Sequence, residues 1–555
     1  MNYCLGTRAD PEYTKALAPK LAWVIEDAIA RLEPAELGVS VVDAEGLTNC
    51  RRWIRRPDRI GVDPFGAKTV RAMMHPGYQN ADYVGPAGPV DTELSLLSVR
   101  RPDGRPIAVL GNFSMHYFGV GGGLSPDFCG LFSQNIEKAV APDDKNFVGI
   151  LSQGTSGDLH WMDYARPRRN ESLNSYTQKL STLALDALKH IRYSRSAPIA
   201  IAEHRVSIAR RTPDGERLKW ANDTLEIGAR PTNRPQVYAE QARFIDENPR
   251  EEIVLQSLRV GELGIHAIPC EVYGITGLEL KARSPLQPSF TMELANGAAG
   301  YIPPAAQHRL GGYTTWPART AGLEEGAEEK IVGWLLDLAE RASGEKRRKP
   351  RESHGAYNEL VLGDRPLAYW RLDEYRGSRA EDSSGNDRHA GISGLVAYHL
   401  PGPESVAFGD RDNRALQLVD ATLAFDDASG VRRIELGFWN GLESRVRASV
   451  GTLLRFASND LRLVRDAKGH SVLQFGESAG STSVQAKCWN HLVVTVAEGL
   501  ARVYLNGNEE IAAKTNSPPS TLLLGSGGTE FCGRLDEVSL YDRVLTPYEV
   551  ARRFR

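Results

Sequence analysis

Apolar residues recur along this chain at two different spacings, and the change from one to the other divides it. In the N-terminal region, short apolar runs that read as buried strands alternate with stretches at helical spacing. Leu17, Leu21, Val24, Ile25, Ala28, Ile29 and Leu32 fall on one side of a helix. Asp10 and Pro11 open it as cap and first-turn residue, and Pro19 should loosen its first turns. Leu37–Val42, Ile107–Phe113, Phe147–Leu151 and Ile199–Ser207 are predicted strands, and Tyr176–Ile191 a predicted amphipathic helix. EIVLQSLRV, the turn GELG and Ile265–Ile268 read as a hairpin, with a helix beginning over Thr276–Lys281. Residues 209–250 are charged, and RLKW and FIDENPREE read as helical surface. Leu323–Ala342 closes this region as a helix, acidic at its start and basic at its end, as its dipole favours.

Past the polar, charged run GEKRRKPRESHG at 344–355 the spacing shortens. LAYWRLDE, ALQLVDATLAF, RRIELGFW, SVLQFGE, NHLVVTVAEGLARVYLNGNEEI and GRLDEVSLYDRVLTPYEV alternate, separated by SSGND, PGPES and NG. That pattern predicts an all-β jelly-roll sandwich. The expected architecture is an α/β domain with a mixed sheet and flanking helices over 1–343, a linker over 344–361 and a β-sandwich over 362–555. At 555 residues, more than one core is required. A composition of 41% apolar and 25% charged residues fits a soluble globular chain, and a net charge of −3 offers nucleic acid or anionic membrane no attraction. Cys4, Cys50, Cys129, Cys270, Cys488 and Cys532 are scattered without a C-x-x-C pair, which argues against a thiolate zinc site and a dense disulfide framework. No apolar run approaches the ~18 residues of a membrane span.

Candidate chemistry collects at strand ends. His116 follows the strand Ile107–Phe113, ahead of GVGGGLSPD, and Asp127 is placed to cap the helix DFCGLFSQNIEKAV. SQGTSGDLHW follows the next strand and presents Ser156, Asp158 and His160; no base is implied near Ser156, and His160 packs, ligates metal or acts as a base. Glu271 sits just past a buried strand, where open α/β sheets place ligand-handling side chains. A carboxylate there is costly unless a charge or hydrogen-bond donor meets it. NGAAGYIPP delivers Tyr301, and GGY delivers Tyr313 twelve positions later. TNCRRWIRRPDR, with Arg51 and Arg52, is a basic cluster that by itself reads as a solvated loop. His75 lies in the turn-rich connector 68–90 and is a structural loop residue or a metal ligand.

In this order the motifs resemble the catalytic domain of neutral/alkaline (non-lysosomal) ceramidases and their bacterial relatives. GYIPP and GGY resemble the family's two tyrosine loops, SMHYFG with SPDFCG its H-P…S-A-D-Y-P-G, SQGTSGDLH its (Q/N)-G-x-x-G-D-(V/I)-S-P, and NCRR its N-R-R. The resemblance implies one Zn2+ held by His116, Glu271 and Tyr301. It also implies that Tyr313 donates a hydrogen bond to the reacting carbonyl and that Arg51 or Arg52 reaches the site. The chain departs from the pattern in four places: GGYT stands for Y-E, Cys50 is inserted before the arginines, and His160-Trp161 replaces Ser-Pro, which removes the usual serine. The T-H-T-H-S-x-P stretch before the first helix is also absent, so the chain is expected to start late, without one zinc histidine and any leader; His75 is a candidate replacement ligand. AYWRLDE, WNHLVVTV, VYLNG and GRLDEVSLYDRVLTPYEV resemble the laminin-G-like (concanavalin-type lectin) jelly roll, which implies a glycan or protein ligand or a structural appendage.

The expected activity is zinc-dependent hydrolysis of an amide bond, in a ceramide-like N-acyl lipid or a glycan-linked compound, with water as nucleophile. Zinc polarises a carbonyl and brings the pKa of bound water toward ~7, while Tyr313 and an arginine steady the oxyanion. The alternative is a degenerate hydrolase scaffold that binds carbohydrate or protein. Full-length relatives imply a periplasmic or extracellular location; no nucleic-acid partner is expected.

Overall fold

The computed structural model describes residues 11–119, 124–225, 231, 233–350, 355–408, 413–441, 451–456, 459–515, 520–525 and 531–554. In the N-terminal region, two mixed β-sheets stack between helices. One is five-stranded, in the order Val148–Gln153, Pro106–Phe113, Glu93–Arg100, Glu36–Asp43 and Tyr193–Ser194; only its first pair is parallel. The other is four-stranded, running Ile199–Ala209, Arg250–Val260, Leu263–Ile268 and Ser289–Glu293, with only its last pair parallel.

Side-chain alternation explains the layering. Leu94, Leu96 and Val109 turn to one face of the first sheet, where Phe128, Phe132 and Ile136 of the helix Asp127–Val140 and Leu180 and Ala184 of the helix Leu173–Leu188 cover them. Leu97, Leu263, Ile265 and Phe290 pack together, sealing one sheet against the other. Ile253, Leu255 and Ile268 meet Ile331, Leu335 and Leu338 of the helix Ala327–Ser343, which keeps those residues at helical intervals. Strand ends from both sheets thereby reach a common region.

Two local expectations change, and one is filled in. The helix Pro11–Ala30 forms through Pro19, but none of its residues is buried; Asp10 lies outside the described residues. Asp127 is the first helical residue rather than the cap, and its carboxylate accepts N–H bonds from Phe118 (2.8 Å), Gly119 (3.1 Å) and Phe128 (2.7 Å), pinning the loop behind His116. A stretch of that loop, 120–123, lies outside the described residues. The charged stretch 209–250 contains two helices, Gly215–Thr224 and Arg234–Glu247, joined through Ala221, Ala239 and Ala242.

The C-terminal region is an antiparallel β-sandwich. Gly533–Tyr541, buried at every position, pairs with Ala368–Trp370, Arg414–Phe425 and Arg433–Asn440. Trp370, Leu416, Leu418, Phe438, Leu492 and Val538 fill its core. A helix, Ala356–Gly363, begins inside 344–361, runs past its end and docks on the sandwich, where Asn358 Nδ2 donates to Tyr369 Oη (2.6 Å). The same core cluster takes in Met74, Tyr273, Ile275, Tyr301 and Ala321, so the sandwich packs directly behind the strand-end region. Arg376 clasps the buried carboxylates of Glu279 and Glu328 across this junction.

Candidate active site

Four segments are stitched together around Arg51. It stands between the short strands Asn49–Cys50 and Arg52–Arg55. Its N–H donates to Asp158 O (2.8 Å), and its carbonyl accepts from the N–H of His75 (2.8 Å). Leu159–His160 pairs antiparallel with Asn49–Cys50, which brings the SQGTSGDLH loop alongside. Glu271–Val272 pairs in parallel with Tyr301–Ile302, making Glu271 and Tyr301 register partners. Two glycines aim the tyrosines. Gly300 (φ 85°) lies so close to Thr320 that a Cβ would fall 2.4 Å from its carbonyl carbon, and at Gly312 (φ 92°) a Cβ would fall 2.6 Å from Ala72 O. No other residue fits either place.

The guanidinium of Arg51 is buried, 2% exposed. Its Nη2 donates to Gly157 O (3.0 Å), with Ser156 O and Tyr301 Oη both at 3.4 Å. The rings of Tyr301 and Tyr313 meet edge-on at 5.9 Å. The His160 ring lies 5.5 Å from that of His75 and 5.8 Å from that of His116. His75 Nδ1 hydrogen-bonds Tyr164 Oη (2.6 Å). Burial, then the Arg51 charge, push His116 down to about 4 and His160 to about 2, so both rings are neutral near pH 7. Burial raises Glu271 above the usual carboxylate range, against the opposing pull of Tyr301 and Arg51.

Other expected site residues have partners that fix the scaffold. Arg52, fully buried, donates from Nε to Gln307 Oε1 (2.9 Å) and from Nη2 to Gln307 O (3.1 Å) and Gly311 O (2.7 Å). It grips the turn that carries Tyr313, and Arg51 is the arginine that faces the cluster. Asp158 Oδ1 accepts from Gly274 N–H (2.8 Å), fixing the start of the helix Gly274–Arg283; burial raises its carboxyl to about 6. Ser156 donates from both N–H and Oγ to Glu293, whose Oε2 also accepts from Val272 N–H (2.9 Å). Burial pushes Glu293 up to about 8. Sequence reasoning missed this carboxylate, although it ends a strand beside Ile268 much as Glu271 follows one. It also missed Tyr238, which packs with Trp316, Val70, Phe65, Met73 and Trp220 to form an apolar wall against Tyr313.

The donor types around Arg51, neutral imidazole, carboxylate and phenol, suit zinc. Among the described residues no group of three or more His, Cys, Asp or Glu side chains is set to hold a metal ion. A fixed guanidinium also lies within electrostatic reach of His75, His116, His160, Glu271 and Tyr301 alike. Among the described residues no helix is long and apolar enough to cross a membrane.

No curated protein sequence matches this chain. In fold it is similar to neutral ceramidase from Pseudomonas aeruginosa over 91% of its own length and 80% of that chain, at 14% identity and a TM-score of 0.41. A ceramidase complexed with C2 gives 88% and 79%, 14% and 0.40. Domain 4 of an extracellular arabinanase from Geobacillus stearothermophilus, in complex with arabinotriose, is similar over 34% of this chain and 98% of its own, at 20% identity and a TM-score of 0.27. Residues 437–551 match the family model of the concanavalin A-like lectin/glucanases superfamily, and the C-terminal β-sandwich carries a module of that superfamily.

Proposed function

We propose that this chain hydrolyses the amide bond of an N-acyl compound, of the ceramide-like lipid class, with a lectin-like module packed behind the site. The observation that carries this reading is the assembly of Glu271, Tyr301, Tyr313 and Arg51 from separate segments into one cluster. Glu271 takes a proton from water as the water oxygen attacks the carbonyl carbon. The oxyanion is met by N–H of Arg51 and O–H of Tyr313. The C–N bond then breaks as the proton on Glu271 passes to the amine nitrogen, leaving a carboxylic acid and an amine. A carboxylate held above its usual range suits both halves of that exchange. The apolar wall beside Tyr313 supports an apolar acyl chain, and the motif resemblance supports the lipid-amide class. A glycan on the substrate or its carrier is the proposed ligand of the β-sandwich.

A panel of N-acyl amides read by acid release tests this. Glu271→Gln should lower kcat by roughly 10²–10⁴-fold while the fold is kept. A wild-type protein that cleaves none of the panel sinks the proposal. One observation favours a second reading, a binding protein on a non-catalytic scaffold. Ser156 is committed through both N–H and Oγ to Glu293, and His160 occupies the position of the family's serine. That reading predicts N-acyl compounds bound without turnover.

A further inference from the structure

We propose that the guanidinium of Arg51 is itself the resident cation of this site, so that the pocket takes an anionic oxygen ligand, such as a carboxylate, and no stoichiometric zinc. Three observations carry the proposal. Arg51 cannot leave: its main chain is bonded on both sides, to Asp158 and His75, and its Nη2 is held by the carbonyl of Gly157. Its Nε is buried and has no hydrogen-bond partner among the described residues. A buried donor left unmet is costly, and a charged donor is best met by an ionised oxygen.

The third observation concerns space and charge. Zinc bound by these imidazoles, by Glu271 or by Tyr301 would lie ~2.0–2.2 Å from a donor atom. It would therefore sit among groups that Arg51 already faces, and the Tyr301 hydroxyl is only 3.4 Å from Nη2. Guanidinium cannot shed its proton to relieve the repulsion. Away from water, neither charge is screened. The proposal does not depend on turnover; it holds for a hydrolase and for a binding scaffold alike.

The test uses the full chain, stripped with chelator and dialysed against zinc alone, with bound metal analysed and thermal melts run with and without sodium acetate. Wild type should take up no stoichiometric zinc, and acetate should raise its melting temperature. Arg51→Gln should gain up to one zinc per chain, lose it again when His116→Ala is added, and give no acetate response. Arg51→Lys, which keeps the charge, should stay free of zinc. One zinc per wild-type chain overturns the proposal, and that arm needs no variant. An Arg51→Gln protein folded by circular dichroism that takes up no zinc also overturns it. Absence of an acetate effect on wild type removes the anionic ligand.

Discussion

Arg51 and Arg52 are adjacent and both buried, yet their tasks differ because successive side chains leave the backbone in opposite directions. Arg52 satisfies two backbone carbonyls and a glutamine amide oxygen, so Arg52→Ala leaves buried acceptors bare. Urea unfolding should show a loss of roughly 3 kcal/mol, at the upper end for hydrogen bonds to charged groups. The sequence marked the pair as basic and left open which arginine faced the site; the answer depends on which carbonyls surround each one. A buried histidine supplies a pH prediction. His266, 1% exposed, is pushed down to about 4 by burial from an unfolded value of 6.5. A depressed histidine keeps the fold's advantage above pH 6.5 and loses it as the pH falls toward 4, because the unfolded chain takes the proton first. The contribution is roughly 3 kcal/mol at 1.36 kcal/mol per pH unit. His266→Asn should flatten the stability–pH curve over that window. An unchanged slope would place the proton uptake elsewhere.

Among elements, the turns decide the site. The GGY turn reaches Tyr313 through Gly312, whose positive φ and close approach to Ala72 O exclude a side chain. Gly312→Ala should cost at least about 1–2 kcal/mol from the left-handed backbone alone, and by moving Tyr313 it should lower turnover more than Gly46→Ala, at an open turn with a similar φ of 73°. Paired urea unfolding and initial rates measure both. Strands and helices were largely legible, because apolar residues at intervals of two or of three and four have only one way to face a core. The helix Arg234–Glu247 was legible only at its end, where FIDE reads as helical surface. Its buried positions, Val237, Tyr238, Ala242 and Ile245, keep helical spacing, but they sit in a charged stretch, where Tyr238 packs with Trp220 of the preceding helix and with the distant Trp316.

On the scale of the molecule, the β-sandwich supports the site from behind. Tyr301 packs in the same cluster as Trp370 and Leu418, and Arg376 meets Glu279 and Glu328, whose side chains are 3% and 1% exposed. Arg376→Ala strips the buried Glu328 of its cation and leaves Glu279 with Arg283 alone, and loss of one partner of a buried pair costs about 3–5 kcal/mol. The melting temperature should fall, with the α/β region and the sandwich losing their common transition. A chain ended at 343 should expose the apolar backs of Tyr273 and Ile275 and aggregate.

Apolar periodicity by itself determined the mixed α/β region, the β-sandwich and the strand-end positions of His116 and Glu271, because burial of a face is written in local spacing. The tyrosine loops were marked by their glycine-rich sequences and by the motif resemblance of GYIPP and GGY. Only the tertiary structure decided that Arg51 rather than Arg52 faces the site, that Glu293 binds Ser156, and that a guanidinium stands among the expected metal donors. Those outcomes depend on contacts between residues up to 259 positions apart, as between Arg52 and Gly311, and no local pattern encodes which distant carbonyl or carboxylate a buried charge will meet.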